Sequence, residues 1–203
     1  MPSDAAVRPA EIADVPRAAR TLRRAFADNV FTRHVIAADD HLRRLEEFQE
    51  LFVARIGLPH GRVWVAGDVE AVSVWTTPET GPEIFAELAS RFAELAGDRL
   101  AAYETAETAM AAHRPRGPVW FLGVVGVDPA RQGSGLGRAV IRPGLEAAER
   151  DGVPAFLETS EARNVAFYER LGFEVTAEYP LPLGGLTTWS MIRRPRRGSV
   201  LPP

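Results

Sequence analysis

The stretch "FLGVVGVDPARQGSGLGRAV", residues 121–140, constrains the fold of this chain more than any other segment. An apolar run typical of a buried strand leads into a turn where Gly133, Gly135 and Gly137 alternate with other residues, and a helical pattern follows. A loop between a strand and a helix gathers main-chain N–H groups at the positive end of the helix dipole, and glycines let an anion approach them. The segment therefore predicts a strand, a phosphate-binding loop and a helix.

The other hydrophobic patterns predict a mixed α/β fold. Two helical patterns come first, followed by the strands "GRVWVAG" and "EAVSVWTT", which predict a hairpin. A helical stretch over residues 81–113 precedes the strand of the glycine loop, and "GVPAFLET", the short helix "RNVAFYERLGF" and two more strands follow it. Because the elements do not alternate strictly, we expect a central mixed, mostly antiparallel sheet flanked by helices rather than a doubly wound fold.

Local signals mark the ends of several helices. Asp14 is a candidate N-cap for the first helix, and Gly57 and Gly172 are candidate ends for the second helix and for the short late helix. The pair Pro143-Gly144 lies inside the helix that follows the glycine loop, and it predicts a kink there because proline removes an amide and crowds the preceding turn.

Two absences from the composition exclude whole classes of chemistry. The 203 residues include no cysteine, which excludes disulfides, thiolate metal sites and a cysteine acyl-enzyme. All 24 basic residues are arginine, which excludes a Walker lysine and a Schiff-base lysine. The four histidines are scattered without paired spacing, so we expect no metal site.

Charge and hydropathy limit the expected partners. A net charge of −3 argues against nucleic acid as the main partner, since phosphate binding normally needs a basic face. The sequence has no uninterrupted apolar window long enough to cross a membrane and no signal-peptide pattern at its start, so we expect a cytoplasmic protein without a membrane partner. We expect one domain over residues 1–195, with a helical insert over residues 81–113, and a flexible tail over residues 196–203.

Three phosphate-binding patterns can be compared with the glycine loop. The Walker pattern fails for lack of lysine, and the dinucleotide pattern started at Gly133 requires glycine where Arg138 stands. Glu158, at the end of the next strand, would suit a ribose-binding acid and keeps the dinucleotide alternative open. The third pattern, Gln/Arg-x-x-Gly-x-Gly, is met by "QGSGLG" from Gln132 to Gly137 and resembles the phosphate loop of acyl-CoA N-acyltransferases.

A second motif strengthens that resemblance. "LETSEARNVAFYERLGF", with Asn164 and Tyr168, resembles the second half of the GNAT superfamily signature, and the two motifs occur in the expected order. From about Val7 to Pro195 the chain also resembles the puromycin N-acetyltransferases, a group within that superfamily. The stretches "DNVFTRHVIAADD" and "EYPLPLGGLTTW" are less similar to that group. The resemblance implies acetyl-CoA as donor and a primary amine as acceptor, with puromycin or a related aminonucleoside antibiotic as the expected amine.

The resemblance also implies a GNAT fold with a splayed strand pair and roles for individual residues. The pantetheine arm is expected on the strand backbone at Val125, Gly126 and Val127. Asn164 is expected beside the cofactor arm. The cofactor diphosphate is expected on the glycine loop, whose residues are Gln132, Gly133, Ser134, Gly135, Leu136, Gly137 and Arg138. Tyr168 is the candidate general acid for the leaving thiolate.

The general base and the acceptor pocket are less constrained. Glu158 could take the amine proton directly or through water, or it could equally be a structural carboxylate bonded to neighbouring backbone. His34 and His113 are rival bases because imidazole titrates near neutrality. Phe31, Trp75 and Trp120 are candidates for an aromatic wall around the acceptor, with His34 beside it. Tryptophans in strands are usually core residues, and we expect at least one of these two in the core.

Three interpretations therefore remain open. The first is direct acetyl transfer to an aminonucleoside in a ternary complex, which the absence of cysteine favours. The second is an acetyltransferase of the same fold for another small amine or a peptide N-terminus. The third is a CoA-binding regulatory module that has lost catalysis. The sequence does not indicate the oligomeric state.

Overall fold

The computed structural model describes residues 6–184 and 186–196, and this part of the chain contains a seven-stranded sheet in the order β1-β2-β3-β4-β5-β7-β6. The strands are β1 Val7–Pro9, β2 Gly61–Ala66, β3 Ala71–Thr76, β4 Trp120–Val127, β5 Ala155–Thr159, β6 Glu174–Pro180 and β7 Thr187–Arg193. The pairing of β4 with β5 is parallel and the other pairings are antiparallel. This confirms the predicted mixed, mostly antiparallel sheet and the hairpin of β2 and β3.

Helices cover both faces of the sheet. They are α1 Val15–Phe26, α2 Val30–Val35, α3 His41–Glu50, α4 Leu58–His60, α5 Glu83–Ala96, α6 Leu100–Ala111, α7 Leu136–Arg150 and α8 Ala162–Glu169. The predicted helical stretch over residues 81–113 is thus the pair α5 and α6, separated at Gly97, whose φ is 54°. Within the described residues, no helix combines the length and the apolar character that a membrane crossing requires. Of the predicted tail, residues 197–203 lie outside the described residues.

Two of the predicted helix signals are wrong. Gly57 does not end the second helix, because a π-helix over Leu51–Gly57 continues α3 into α4. A Cβ on Gly57 would lie 2.5 Å from the side chain of Val63, so this glycine allows close packing on the sheet. Asp14 occupies the N-cap position of α1 without capping it, since its carboxylate binds the Arg8 guanidinium and the Glu11 amide instead.

Strands β4 and β5 separate soon after they meet. In the described residues their parallel pairing is limited to Trp120 with Ala155 and Phe121 with Phe156. On the other side of β4, a β-bulge against β3 leaves Gly123 as the extra residue between paired neighbours. A bulge bends its strand and increases the local twist. In the described residues, the main chain of β4 beyond Phe121 has no pairing partner in β5, as the predicted splayed pair requires.

Helix α7 packs against β2, β3 and β4, and Gly144 is one point of close approach. The helix continues without interruption through Pro143. Gly144 lies against the indole of Trp75, a fully buried residue. A Cβ on Gly144 would lie 2.3 Å from Cε2 of Trp75. Glycine at this position in α7 therefore allows the helix to approach the sheet.

We expect Gly144→Ala to lower the free energy of unfolding by about 1–3 kcal/mol, the usual cost of overpacking a core. The loss should occur although alanine favours a helix over glycine by about 1 kcal/mol. Chemical denaturation measures the change. Gly137→Ala is the matched control in the same helix, because its Cβ would meet the nearest atom at an ordinary 3.4 Å. An equal loss in both variants would contradict this packing account.

Candidate functional site

A cavity of about 620 Å³ lies beside the opening between β4 and β5. Its wall combines residues of both strands with residues of α3, α5, α6 and α8. Of the residues selected from the sequence, the wall contains Phe31, Val125, Glu158, Asn164 and Tyr168. This volume lies within the range of small-molecule sites, about 300–1,000 Å³.

The glycine loop has an open main-chain surface at the start of α7. Gly133 and Gly135 have φ values of 78° and 89°, which an ordinary side chain rarely adopts. A Cβ at either position would meet no atom within 4 Å, so the space above these residues is empty. The Leu136 side chain is buried and anchors the first turn of the helix.

The helix start leaves donors available to a ligand. The first hydrogen bond within α7 runs from the Ala139 amide to the Gly135 carbonyl at 3.0 Å. The amides of residues 136–138 therefore have no carbonyl partner within the helix. Arg138 is exposed at the same end and also lines an arginine-rich groove on the outer side of α7. The arrangement fits a diphosphate, because it combines unpaired amides, a helix N-terminus and no side-chain obstruction at the glycines.

The three β4 residues selected from the sequence differ in their surroundings. Val125 lines the cavity, whereas a Cβ on Gly126 would lie 2.8 Å from Leu22 of α1, so the α-carbon of Gly126 faces that helix. Gln132 donates from Nε2 to the Val127 carbonyl at 3.3 Å, which joins the loop to the end of the strand. The unpaired edge of β4 thus leads from the cavity to the glycine loop.

Glu158 is held by an arginine that sequence reasoning did not select. The Glu158 side chain is 3% exposed, and the Arg114 guanidinium donates to its carboxylate from Nη2 at 2.9 Å and from Nε at 3.2 Å. Arg114 also contacts Glu107 at 3.3 Å and lies over the Phe121 ring. Burial raises the pKa of Glu158, and Arg114 opposes that rise without cancelling it.

Tyr168 and Asn164 lie on α8 in the same wall. Tyr168 is buried, and burial raises the pKa of its phenol above the ordinary value near 10, so the hydroxyl remains protonated at neutral pH. Its ring packs edge-on against Phe173, with 5.9 Å between centroids. Asn164 donates from Nδ2 to Thr159 Oγ1 at 3.3 Å, which orients its amide beside the end of β5.

Three residues predicted for the acceptor pocket lie elsewhere in the fold. Trp75 is fully buried between the sheet and α7, and Trp120 is a core residue whose indole N–H donates to Asp151 at 2.7 Å. His34 has its Nε2 at 3.1 Å from the Pro182 carbonyl. The predicted tryptophan wall is therefore wrong. Trp75 of β3 and Trp120 of β4 both pack on the side of the sheet that faces α7. The rival base His113 is exposed and stacks on Tyr179 with a centroid separation of 3.9 Å.

Phenylalanines from the helices form the aromatic wall instead. Phe48, Phe52 and Phe92 contact one another with ring centroids 5.2–5.6 Å apart, and Phe92 stacks on Tyr103. Besides Phe31, the cavity is lined by Phe26, Phe48, Phe52, Phe85, Phe92, Tyr103 and Phe121. Helical periodicity marks Phe48 and Phe52 as buried, but it does not distinguish a core face from a cavity face.

The charged groups of the wall favour a cation. Glu104, Glu107 and Glu158 contribute carboxylates, whereas Arg114 contributes a guanidinium. Three negative groups against one positive group give the cavity a negative balance. An ammonium group would therefore be attracted into an otherwise aromatic cavity.

Comparison with known proteins identifies similar sequences and folds. Residues 69–173 match the family described as "Acetyltransferase (GNAT) family". A mycothiol acetyltransferase of Kineococcus radiotolerans is 36% identical over 120 residues, which cover 56% of this chain and 39% of that protein. The chain thus spans well under half the length of this curated relative.

Solved structures resemble the chain over almost its whole length. A protein described as histone acetyltransferase HPA2 and related acetyltransferase, from Corynebacterium glutamicum, has a TM-score of 0.76 at 25% identity, with 97% of this chain and 99% of the other covered. The ribosomal-protein-S18-alanine N-acetyltransferase of Escherichia coli has a TM-score of 0.56 at 20% identity, with 98% and 99% covered.

Proposed function

The chain belongs to the GNAT acetyltransferase family, and from this premise we propose that it transfers the acetyl group of acetyl-CoA to the primary amine of a small molecule. The observation that carries the proposal is the unpaired edge of β4, which joins an exposed glycine loop to an enclosed aromatic cavity. Acetyl-CoA supplies an activated thioester. The chain binds this thioester, orients an amine towards it and manages the protons.

We propose that the cofactor lies along the loop and the opened strand. The amides of Gln132 to Arg138 would hold the diphosphate, and the main chain at Val125, Gly126 and Val127 would bind the pantetheine arm as an added strand. Asn164, which lies in the same wall, would contact that arm. An N–H near Val125 would also donate to the thioester oxygen and stabilise the negative charge that develops there.

We propose a ring-bearing primary amine as acceptor. Phenylalanine rings bind its apolar body, and the negative balance of the cavity attracts its ammonium group. Puromycin, or a related aminonucleoside antibiotic, combines an aromatic ring with one free amine and remains our proposed acceptor. Acetylation would convert that amine into an amide, which is neither charged nor nucleophilic, and the activity would thus detoxify an amine-dependent antibiotic.

Two residues are proposed to handle the protons. Glu158 accepts a proton from the ammonium, directly or through water, because its raised pKa brings it closer to the operating pH than an ordinary carboxylate. Tyr168 donates its phenolic proton to the departing sulfur, and the attacking nitrogen returns a proton to the phenolate as the amide forms. Burial raises the pKa of the Tyr168 phenol, and it raises the pKa of the departing CoA thiol in the same way. The difference between the two pKa values is therefore smaller than the shift of Tyr168 by itself would give.

Removing Arg114 should move the pH dependence of the reaction upwards. Arg114 lowers the pKa of Glu158 while burial raises it, so Arg114→Met leaves the burial effect unopposed. Since the base must be ionised, the pH of half-maximal kcat/KM should rise by about one to two units. Arg116→Met is the control, because Arg116 is exposed two residues away. An unchanged pH profile in Arg114→Met would argue against Glu158 as base.

A thiol-release assay tests the proposed function. Acetyl-CoA is mixed with the protein and a panel of primary amines that includes puromycin, arylalkylamines, polyamines and short peptides. Thiol release that depends on the amine supports an acetyltransferase, and faster release with puromycin supports the narrower proposal. Binding of acetyl-CoA without release for any amine would instead indicate a CoA-binding module.

A further inference from the structure

One polar group in the cavity wall lacks a partner. Gln49 of α3 lines the cavity and is 2% exposed, and its Oε1 atom has no hydrogen-bond partner among the described residues. An acceptor that is buried without a hydrogen bond destabilises the folded state, so buried polar atoms are nearly always paired. The unpaired oxygen is therefore a feature that folding alone does not explain.

The neighbours of Gln49 do not satisfy this oxygen. Phe48 and Phe52, on the same turn of helix, line the cavity with rings that carry no hydroxyl or N–H donor. Thr32 is a second buried polar residue of the wall, but its hydroxyl lies 3.2 Å from the Phe26 carbonyl and 3.1 Å from the Asn29 carbonyl, where it donates. No donor among the described residues pairs with this oxygen, and the cavity that Gln49 lines is the nearest space from which a bound molecule would supply one.

The backbone next to Gln49 is unusual as well. The α-helical pattern ends at Glu50, and the next seven residues, Leu51–Gly57, form a π-helix. Segments of π-helix are rare and occur frequently at functional sites, because the wider turn redirects the side chains beside it. Here the π-helix begins two residues after Gln49 and includes Phe52, another residue of the cavity wall.

We propose that Gln49 Oε1 accepts a hydrogen bond from a hydroxyl or N–H on the body of the acceptor, away from the reacting amine. The inference rests on the proposed function and narrows its substrate class to amines that carry a donor on the aromatic portion. A carbonyl oxygen only accepts, so an amine with an unsubstituted ring leaves it unpaired. Gln49 is thus a specificity-determining residue.

The test compares acceptors that differ by one hydroxyl. Tyramine and its meta-hydroxyl isomer are measured against phenethylamine, each with acetyl-CoA, and selectivity is the ratio of kcat/KM values. The wild type should prefer one hydroxylated amine by about tenfold, the discrimination expected from one hydrogen bond to a buried group. In Gln49→Met, which keeps the length of the side chain and removes its polar end, the ratio should fall to about one.

A stability measurement separates this role from a structural one. Because Gln49→Met removes an unpaired buried oxygen, the free variant should melt at a higher temperature than the wild type while it loses selectivity. Thr21→Val is the control, since Thr21 is buried in α1 and donates to the Val69 carbonyl at 2.8 Å. It should melt at a lower temperature and keep the selectivity of the wild type.

The outcomes are distinct. Turnover of these amines with the same ratio in wild type and Gln49→Met would overturn the role of Gln49 and leave the proposed function standing. A lower melting temperature for Gln49→Met would likewise overturn it, because the oxygen would then be paired in the free protein. Absence of turnover with every amine would defeat the proposed function, and the inference about Gln49 would fall with it.

Discussion

Replacing Tyr168 by phenylalanine is expected to lower kcat by about 100-fold or more, while the dissociation constant of acetyl-CoA changes by less than about threefold. Loss of a positioned general acid typically costs a factor of 10²–10⁴. The expectation follows from the location of Tyr168 in the cavity wall on α8, and from a phenol that burial keeps protonated. Phenylalanine keeps the ring and its packing, so only the donor to the departing sulfur is lost.

Steady-state kinetics and calorimetric titration with acetyl-CoA together measure the two effects. Tyr179→Phe is the matched control, because Tyr179 is another buried tyrosine, lies outside the cavity wall, and its hydroxyl contacts Ser190 Oγ at 3.2 Å. That variant should retain kcat within about threefold. If Tyr168→Phe also retained kcat, Tyr168 would not be the proton donor.

Placing a carboxylate at Gly135 is expected to weaken acetyl-CoA binding by about 100-fold. Nothing lies within 4 Å of a Cβ at Gly135, so the new side chain would occupy the open space proposed for the diphosphate. Two like charges about 4 Å apart near a protein surface repel by roughly 4 kcal/mol, which is more than this loss requires. Calorimetric titration of Gly135→Asp with acetyl-CoA measures the change.

Gly152→Asp controls for backbone strain and for added charge. Gly152 also has a positive φ, 67°, and a Cβ at this position would also meet no atom within 4 Å, but Gly152 follows the far end of α7. The 15 residues of that helix span about 22 Å at 1.5 Å per residue. Gly152→Asp should therefore bind acetyl-CoA like the wild type. Equal losses in the two variants would show that strain, not the diphosphate, explains the effect.

The parts of the fold that the sequence predicted are those with local causes. Alternation and apolar runs identify β2, β3 and β4, and the turn chemistry of the glycine loop identifies the start of α7. The separation of β4 from β5 was expected from family resemblance. It is not visible in the sequence itself, because it depends on how distant segments pair: β4 meets β5 over two residue pairs and meets β3 with a bulge at Gly123.

The parts of the site that were missed depend on contacts between distant residues. Arg114 is 44 residues from Glu158, and nothing near either residue indicates that they pair. Trp75 was expected in the acceptor wall because aromatic residues bind rings, but a strand has two faces, and the face that carries Trp75 packs on Gly144. Gly144 itself was considered only as part of a predicted kink with Pro143.

A crystal structure of the protein with acetyl-CoA tests the central claim most directly. We predict the diphosphate within hydrogen-bond distance of the amides of Gln132 to Arg138, and the pantetheine arm against the edge of β4 with its thioester near Tyr168. Acetyl-CoA bound instead in the arginine-rich groove formed by α7, residues 169–172, Arg193, Arg194 and Arg196, with the glycine loop empty, would contradict the account.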